Sequence, residues 1–244
     1  LWGLAGLLQL GGWLWYLLAA VLLVVAVEYK AGSNNYKKLA SPAFVLFFAA
    51  ALSAALYLAI RQPMLHEWDE FSLWGTGVKL MKVTGQMHTV APMGWAWPAT
   101  QTPTLLMTGY FAQIFGAFAA WKIYAGYAFL LLAVVAAVVG TIPAASYSIS
   151  VPVAFIGLLT PWAFAIYNRK YAATPVWLLS YGDIPAGMLL GGTLALYFGL
   201  RREKAPLWPV FIPLAALALV KDNTFVFALV AAGIMVADLL LFAD

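Results

Sequence analysis

TLLMTGYFAQIFGAFA, residues 104–119, decides how many times this chain crosses a membrane. A hydropathy scan counts it as a span. As a helix it extends only about 24 Å at about 1.5 Å per residue, short of a hydrocarbon core about 30 Å thick. It also carries Gln113, Gly109 and Gly116.

Composition establishes that lipid is the relevant solvent. Apolar residues make up 65% of the 244, charged ones 9%, and mean hydropathy is +0.91. A water-soluble globule of that composition lacks the polar surface to cover itself. Apolar runs at 4–27, 43–60, 121–140, 151–167, 184–200, 206–220 and 224–242 predict an all-α, polytopic transmembrane bundle of about seven spans, a single domain over 1–244. Alternating strands of the β-barrel type are absent. The first run is too long for a signal-peptide core and reads as a retained helix. The start at Leu1 and the end at Asp244, directly after an apolar run, fit a fragment of a longer protein.

Charge then settles the reading of 104–119. Lys30, Lys37 and Lys38 mark the loop after the first run as cytoplasmic, and Arg201, Arg202 and Lys204 mark a later one likewise. The chain must cross an even number of times between them. The runs 43–60, 121–140, 151–167 and 184–200 give four crossings; adding 104–119 gives an odd number. Residues 104–119 are therefore predicted to stay on one side, as a helix lying at the interface or packed in the extracytoplasmic layer. Residues 61–120 become one large extracytoplasmic segment, followed by outer loops at 168–183 and Lys221-Asp222-Asn223. Pro206, Pro209 and Pro213 predict a bent or tilted sixth span.

Several function classes drop out. The net charge of +4 sits in short clusters at the ends of apolar runs, where orientation signals and anionic-lipid contacts belong, so nucleic acid is discounted. Absence of cysteine excludes disulfides, thiol nucleophiles and thiolate metal sites, and two histidines exclude a His-rich one. No cofactor is called for, and a divalent metal is not indicated.

The outer segment opens with HEWDEFSLWG, residues 66–75, which holds Glu67, Asp69 and Glu70, three of only nine acids in the chain. From Trp68 to Thr84 a helical period places Phe71, Trp74, Val78 and Met81 on one face and Asp69, Ser72, Thr76 and Lys79 on another. That predicts an amphipathic helix on the membrane surface, weakened by Gly75 and Gly77. On its polar stripe Asp69 is poised to take a proton from a hydroxyl. The competing reading makes all three acids helix N-terminal caps. Beyond Gln86, Pro92, Pro98 and Pro103 stiffen a loop in which Trp95 and Trp97 form either a pocket wall or interfacial anchors. His88 has no evident partner in sequence.

Trp68-Asp69-Glu70 soon after a span, an amphipathic helix running to Gly85, a Pro-containing turn, and an apolar non-crossing helix ending in Ile114-Phe115-Gly116 resemble the GT-C superfamily of membrane glycosyltransferases. The closest branch is that of the protein mannosyltransferases, aminoarabinose transferases and RgtA/B/C/D-like enzymes. The resemblance covers 43–243 in architecture and 66–118 and 180–186 in motif. It implies a multi-pass enzyme of the cell membrane with an extracytoplasmic active site. There it moves a sugar from a polyprenyl-phosphate donor to a hydroxyl of a glycan, lipid or protein acceptor. In that family the first-loop Asp is the general base, the place of Asp69, with Glu70 beside it. A second acid follows in the next outer loop, where Tyr181-Gly182-Asp183 stands. Trp97-Pro98 and Thr102-Pro103 replace the family's usual Pro-Pro turn, and an extra span precedes the catalytic loop.

A departing lipid phosphate gathers negative charge, so nearby cations stabilise its departure. Lys79, Lys82, Arg169, Lys170 and Lys221 are the candidates for binding it. Snorkelling from a helix end explains any of them equally, as N-capping explains Asp183. Two other classes remain open: a transporter or lipid flippase, expected to carry ionisable groups inside its spans, and a non-catalytic subunit binding lipid-linked sugars.

Overall fold

The computed structural model describes residues 3–32, 42–89, 101–143, 146–167 and 182–242. Among them every regular element is helical: α1 (Leu8–Gly32), α2 (Pro42–Arg61), a π-helical turn (Glu70–Trp74), α3 (Gly75–Thr84), α4 (Pro103–Gln113), α5 (Ala120–Gly140), α6 (Tyr147–Tyr167), α7 (Asp183–Arg202), a 3-10 turn (Trp208–Val210), α8 (Phe211–Ala218) and α9 (Thr224–Leu241).

Among the described residues, five stretches are long and apolar enough to cross a bilayer: Leu8–Val25, Ala43–Arg61, Ala120–Gly140, Asp183–Arg202 and Thr224–Leu241. They point to a membrane protein. Their outward faces carry large apolar side chains such as Leu22, Leu52, Phe225 and Leu240, the surface that lipid rather than water tolerates. α5 is the central helix, with 61% of its span buried against 17% for α1 and for α2. Its sequence permits this because Gly126 comes so close to α4 that a Cβ there would lie 2.6 Å from the Thr108 carbonyl oxygen.

The two ends of the bundle are chemically distinct. At one end Gly140 abuts Ala43 at the start of α2, and Arg202 donates to the Thr141 carbonyl at 3.1 Å. There Arg201 meets Asp238 at 2.5 Å, and Tyr197 donates to the same carboxylate at 2.7 Å. The Asp238 charge in the last apolar run thus has two partners, which offset the cost of its placement. The start of α2 and the Arg-rich turn share this end, as the charge pattern requires.

α4 by itself is too short to cross a bilayer. It is 11 residues, about 16 Å of helix. At its start the Thr104 N–H donates to Leu219 O at 3.0 Å; at its last residue, the fully buried Gln113 exchanges two hydrogen bonds with the Ala119 backbone at 2.9 and 3.0 Å. Helix 104–119 is therefore shorter than its apolar run, because Gln113 folds 114–119 into a turn with Gly116 at φ +74°. Of the two placements the sequence left open, α4 takes the packed one, with Leu105, Leu106 and Tyr110 buried.

Two expectations are corrected. The run 206–220 forms a 3-10 turn and the eight-residue α8, because Pro209 and Pro213 remove backbone donors. The regular period from Trp68 to Thr84 also breaks: the Gly75 N–H bonds to Glu70 O, five residues back, and this wide turn rotates what precedes it. Trp74, Val78 and Met81 are buried as expected, whereas Phe71 is 43% exposed and Ser72 only 6%. Gly75 makes the turn possible, since a Cβ there would lie 2.6 Å from that same Glu70 oxygen. α3 then sits directly on α4, Gly77 against Leu106 and Gly109 against Val78.

Candidate functional site

At the end of the bundle opposite Arg201, a cavity of about 260 Å³ is lined by Asp69, Leu73, Trp74, Gln101, Gly182, Lys221, Asp222 and Asn223. Four separate segments converge on it. The π-helical turn and the residue just before it supply Asp69, Leu73 and Trp74. Gln101 precedes α4, Gly182 precedes α7, and the tight turn between α8 and α9 supplies the remaining three.

The acids behave differently from one another. Asp69 precedes the π-helical turn but makes no side-chain cap hydrogen bond, so capping does not account for it. Glu70 does cap: its Oε2 accepts the backbone N–H groups of His66 at 3.0 Å and Glu67 at 3.2 Å. It also accepts the Tyr124 hydroxyl at 2.9 Å, and His66 Nδ1 lies 3.3 Å away. Glu70 is fully buried and does not line the cavity.

Asp183, in the first turn of α7, likewise reaches the cavity only through a partner. Lys221 Nζ donates to its Oδ1 at 2.9 Å, while Lys221 itself lines the cavity. Lys221 thus pairs with Asp183, 38 residues away in sequence, and its neighbour Asp222 contributes a second carboxylate to the wall. The turn is held by Thr224, whose hydroxyl donates to Lys221 O at 2.6 Å and accepts the Lys221 N–H at 3.0 Å.

Lys79 and Lys82 do not line the cavity. Lys79 is exposed, its Nζ 5.9 Å from the Phe118 ring centre, and Lys82 donates to Ile114 O at 3.3 Å. Trp95, Trp97, Arg169 and Lys170 fall outside the described residues. Trp68 is 61% exposed and stacks edge-on with Phe71, the arrangement of an interfacial aromatic pair.

His88 acquires a partner: its Nε2 lies 2.8 Å from the Gln101 carbonyl, and its ring is fully buried. Burial pushes its pKa below the usual histidine value, against the smaller opposing effect of that bond. Gln101, Trp74 and Asn223 as lining residues, and Tyr124 as a support, were not singled out from sequence. Tyr124 gave no local signal, because it lies inside an apolar run.

Chemically, the described lining combines carboxylates, an ammonium, two amides and an indole. Such a wall can accept and donate hydrogen bonds to several hydroxyls while covering an apolar ring face. Among the described residues no group of three His, Asp or Glu side chains is placed to hold a metal ion. No family model, curated protein or solved structure matches the chain.

Proposed function

We propose that the protein is an integral-membrane glycosyltransferase of the GT-C type. It transfers a sugar from a polyprenyl-phosphate donor to an acceptor hydroxyl on the extracytoplasmic side. One observation carries this reading: Asp69, uncapped, shares a cavity with Lys221, which is itself paired to Asp183. Asp69 takes the acceptor proton as the acceptor oxygen bonds to the anomeric carbon. The bond from that carbon to the phosphate oxygen breaks, and the lipid phosphate leaves with the electron pair. Lys221 offsets its growing charge. Asp183 holds Lys221 in place, and Gln101, Asn223 and Trp74 suit a polyhydroxylated ring.

A second cavity, about 300 Å³, lies among α5, α6 and α7 and is lined by Val, Ile, Met, Ala and Gly residues. It begins at Gly187, one helical turn from Asp183, and suits the prenyl chain of such a donor. A transport reading finds less support, because Asp183, Lys221, Arg201 and Asp238 all lie near helix ends.

The test is donor consumption. Purified protein, given a panel of polyprenyl-phosphate sugars and an acceptor-containing membrane extract, is expected to release polyprenyl phosphate from at least one donor. Tight binding of a donor without any release, across the panel, favours the non-catalytic subunit instead.

A further inference from the structure

Asp69 is aimed by its backbone, since no cap bond holds its side chain, and what fixes that backbone is the residue next to it. Glu70 gathers His66 N–H, Glu67 N–H and the Tyr124 hydroxyl on one oxygen, Oε2, with no exposed surface. Two of these donors belong to the segment leading into Asp69. The third stands on α5, the central helix, 54 residues further on. The same hydroxyl lies 3.3 Å from Met64 O, tying the chain just after α2 to the same point.

We infer that Glu70 and Tyr124 are positioning residues for Asp69, a clamp that fastens residues 64–70 to α5 and thereby turns Asp69 into the cavity. The inference rests on the reading of Asp69 as the base. An acid that merely caps its own helix needs no partner on another element, and this one has Tyr124. An acid that touches substrate needs exposure, and this one has none. The clamp works by accepting hydrogen bonds in a fixed shape. Glutamine, which keeps an acceptor oxygen at the same reach, therefore substitutes for it, and alanine does not.

Because the chain has no cysteine, Asp69→Cys carries its sole thiol. In detergent-solubilised protein, where both ends are open to the reagent, the rate at which a small thiosulfonate modifies that thiol reads the orientation of position 69 without any assumption about activity. In the Glu70→Gln background the rate is expected to stay within about twofold of the unaltered clamp. In Glu70→Ala or Tyr124→Phe it is expected to change about tenfold or more, within the roughly 10²-fold that misplacement by about 1 Å imposes on a positioned group. Lys204→Cys, beyond α7 at the opposite end, is the control for global unfolding and is expected to react alike in every background. If Glu70→Ala also disturbs that control, Tyr124→Phe, which removes one oxygen, decides.

With Asp69 restored, Tyr124→Phe is expected to lower kcat about tenfold or more with KM little changed, and Glu70→Gln to keep most of the activity. Equal labelling of the thiol at position 69 in all backgrounds, or Glu70→Gln as disruptive as Glu70→Ala, overturns the clamp. Loss of the transferase reading alone leaves the labelling result standing.

Discussion

Lys221 Nζ lies 2.9 Å from Asp183 Oδ1, so the turn between α8 and α9 is joined to the start of a helix that begins 38 residues earlier. The pair is accessible, with side-chain exposures of 38% and 69%, and such pairs contribute about 0–1 kcal/mol to stability. Its value therefore lies in placing an ammonium on the cavity wall.

Lys221→Met is expected to shift detergent stability by less than about 1 kcal/mol while lowering sugar transfer about 10²-fold, the cost of deleting one stabilising donor at a departing charge. Thermal melts beside transfer rates check this. A large stability loss with unchanged transfer per folded molecule contradicts it.

The two ends of the bundle are expected to face opposite sides of the membrane. Cysteines placed singly at Lys204 and Asp222, in an otherwise thiol-free chain, supply the readout. In intact cells an impermeant maleimide is expected to label position 222 and to reach 204 only after permeabilisation. The reverse pattern would place the cavity in the cytoplasm.

Glycines divide by what surrounds them. Gly75→Ala sets a Cβ 2.6 Å from the Glu70 carbonyl oxygen, and Gly126→Ala sets one equally close to Thr108 O. Each is expected to destabilise by about 1–3 kcal/mol, since backbone must shift to make room. Gly187→Ala meets nothing within 4 Å and is expected to be neutral or to stabilise by up to about 1 kcal/mol. Melting temperatures of the three variants in one detergent decide the order.

His88 gives the fold a pH dependence. Burial lowers its pKa in the folded chain below the unfolded value of about 6.5, so the unfolded chain takes up the proton first as pH falls. Its contribution is complete above about pH 6.5 and is lost as pH falls toward the folded pKa. Melting temperature is expected to drop between pH 7.5 and pH 5, with a shallower drop in His88→Gln. Parallel profiles in both proteins would show that His88 does not carry the effect.

The sequence made some of this legible and hid the rest for definite reasons. Apolar runs reveal long helices because lipid enforces both length and composition. Charge parity predicts that residues 104–119 stay on one side, since an odd crossing would carry Arg201 and Arg202 to the wrong face. The early end of α4 was hidden, because Gln113 reads as a mere polar interruption until its amide is seen bonded to Ala119. The π-helical turn was hidden too: periodicity assumes one turn size, and a single wide turn exchanges Phe71 for Ser72. Asp69, Asp183 and Lys221 stand out in sequence because charges are scarce. That Asp69 and Lys221 share a cavity, and that Tyr124 supports Glu70, depends on contacts between segments far apart along the chain.

The proposed reaction turns on Asp69 as the group that takes the acceptor proton. Asp69→Asn keeps the size of the side chain and removes its basicity. It is expected to insert and melt like the parent, to bind the donor, and to transfer sugar about 10²–10⁴-fold more slowly. Transfer within a few-fold of the parent by a well-inserted Asp69→Asn protein would contradict it.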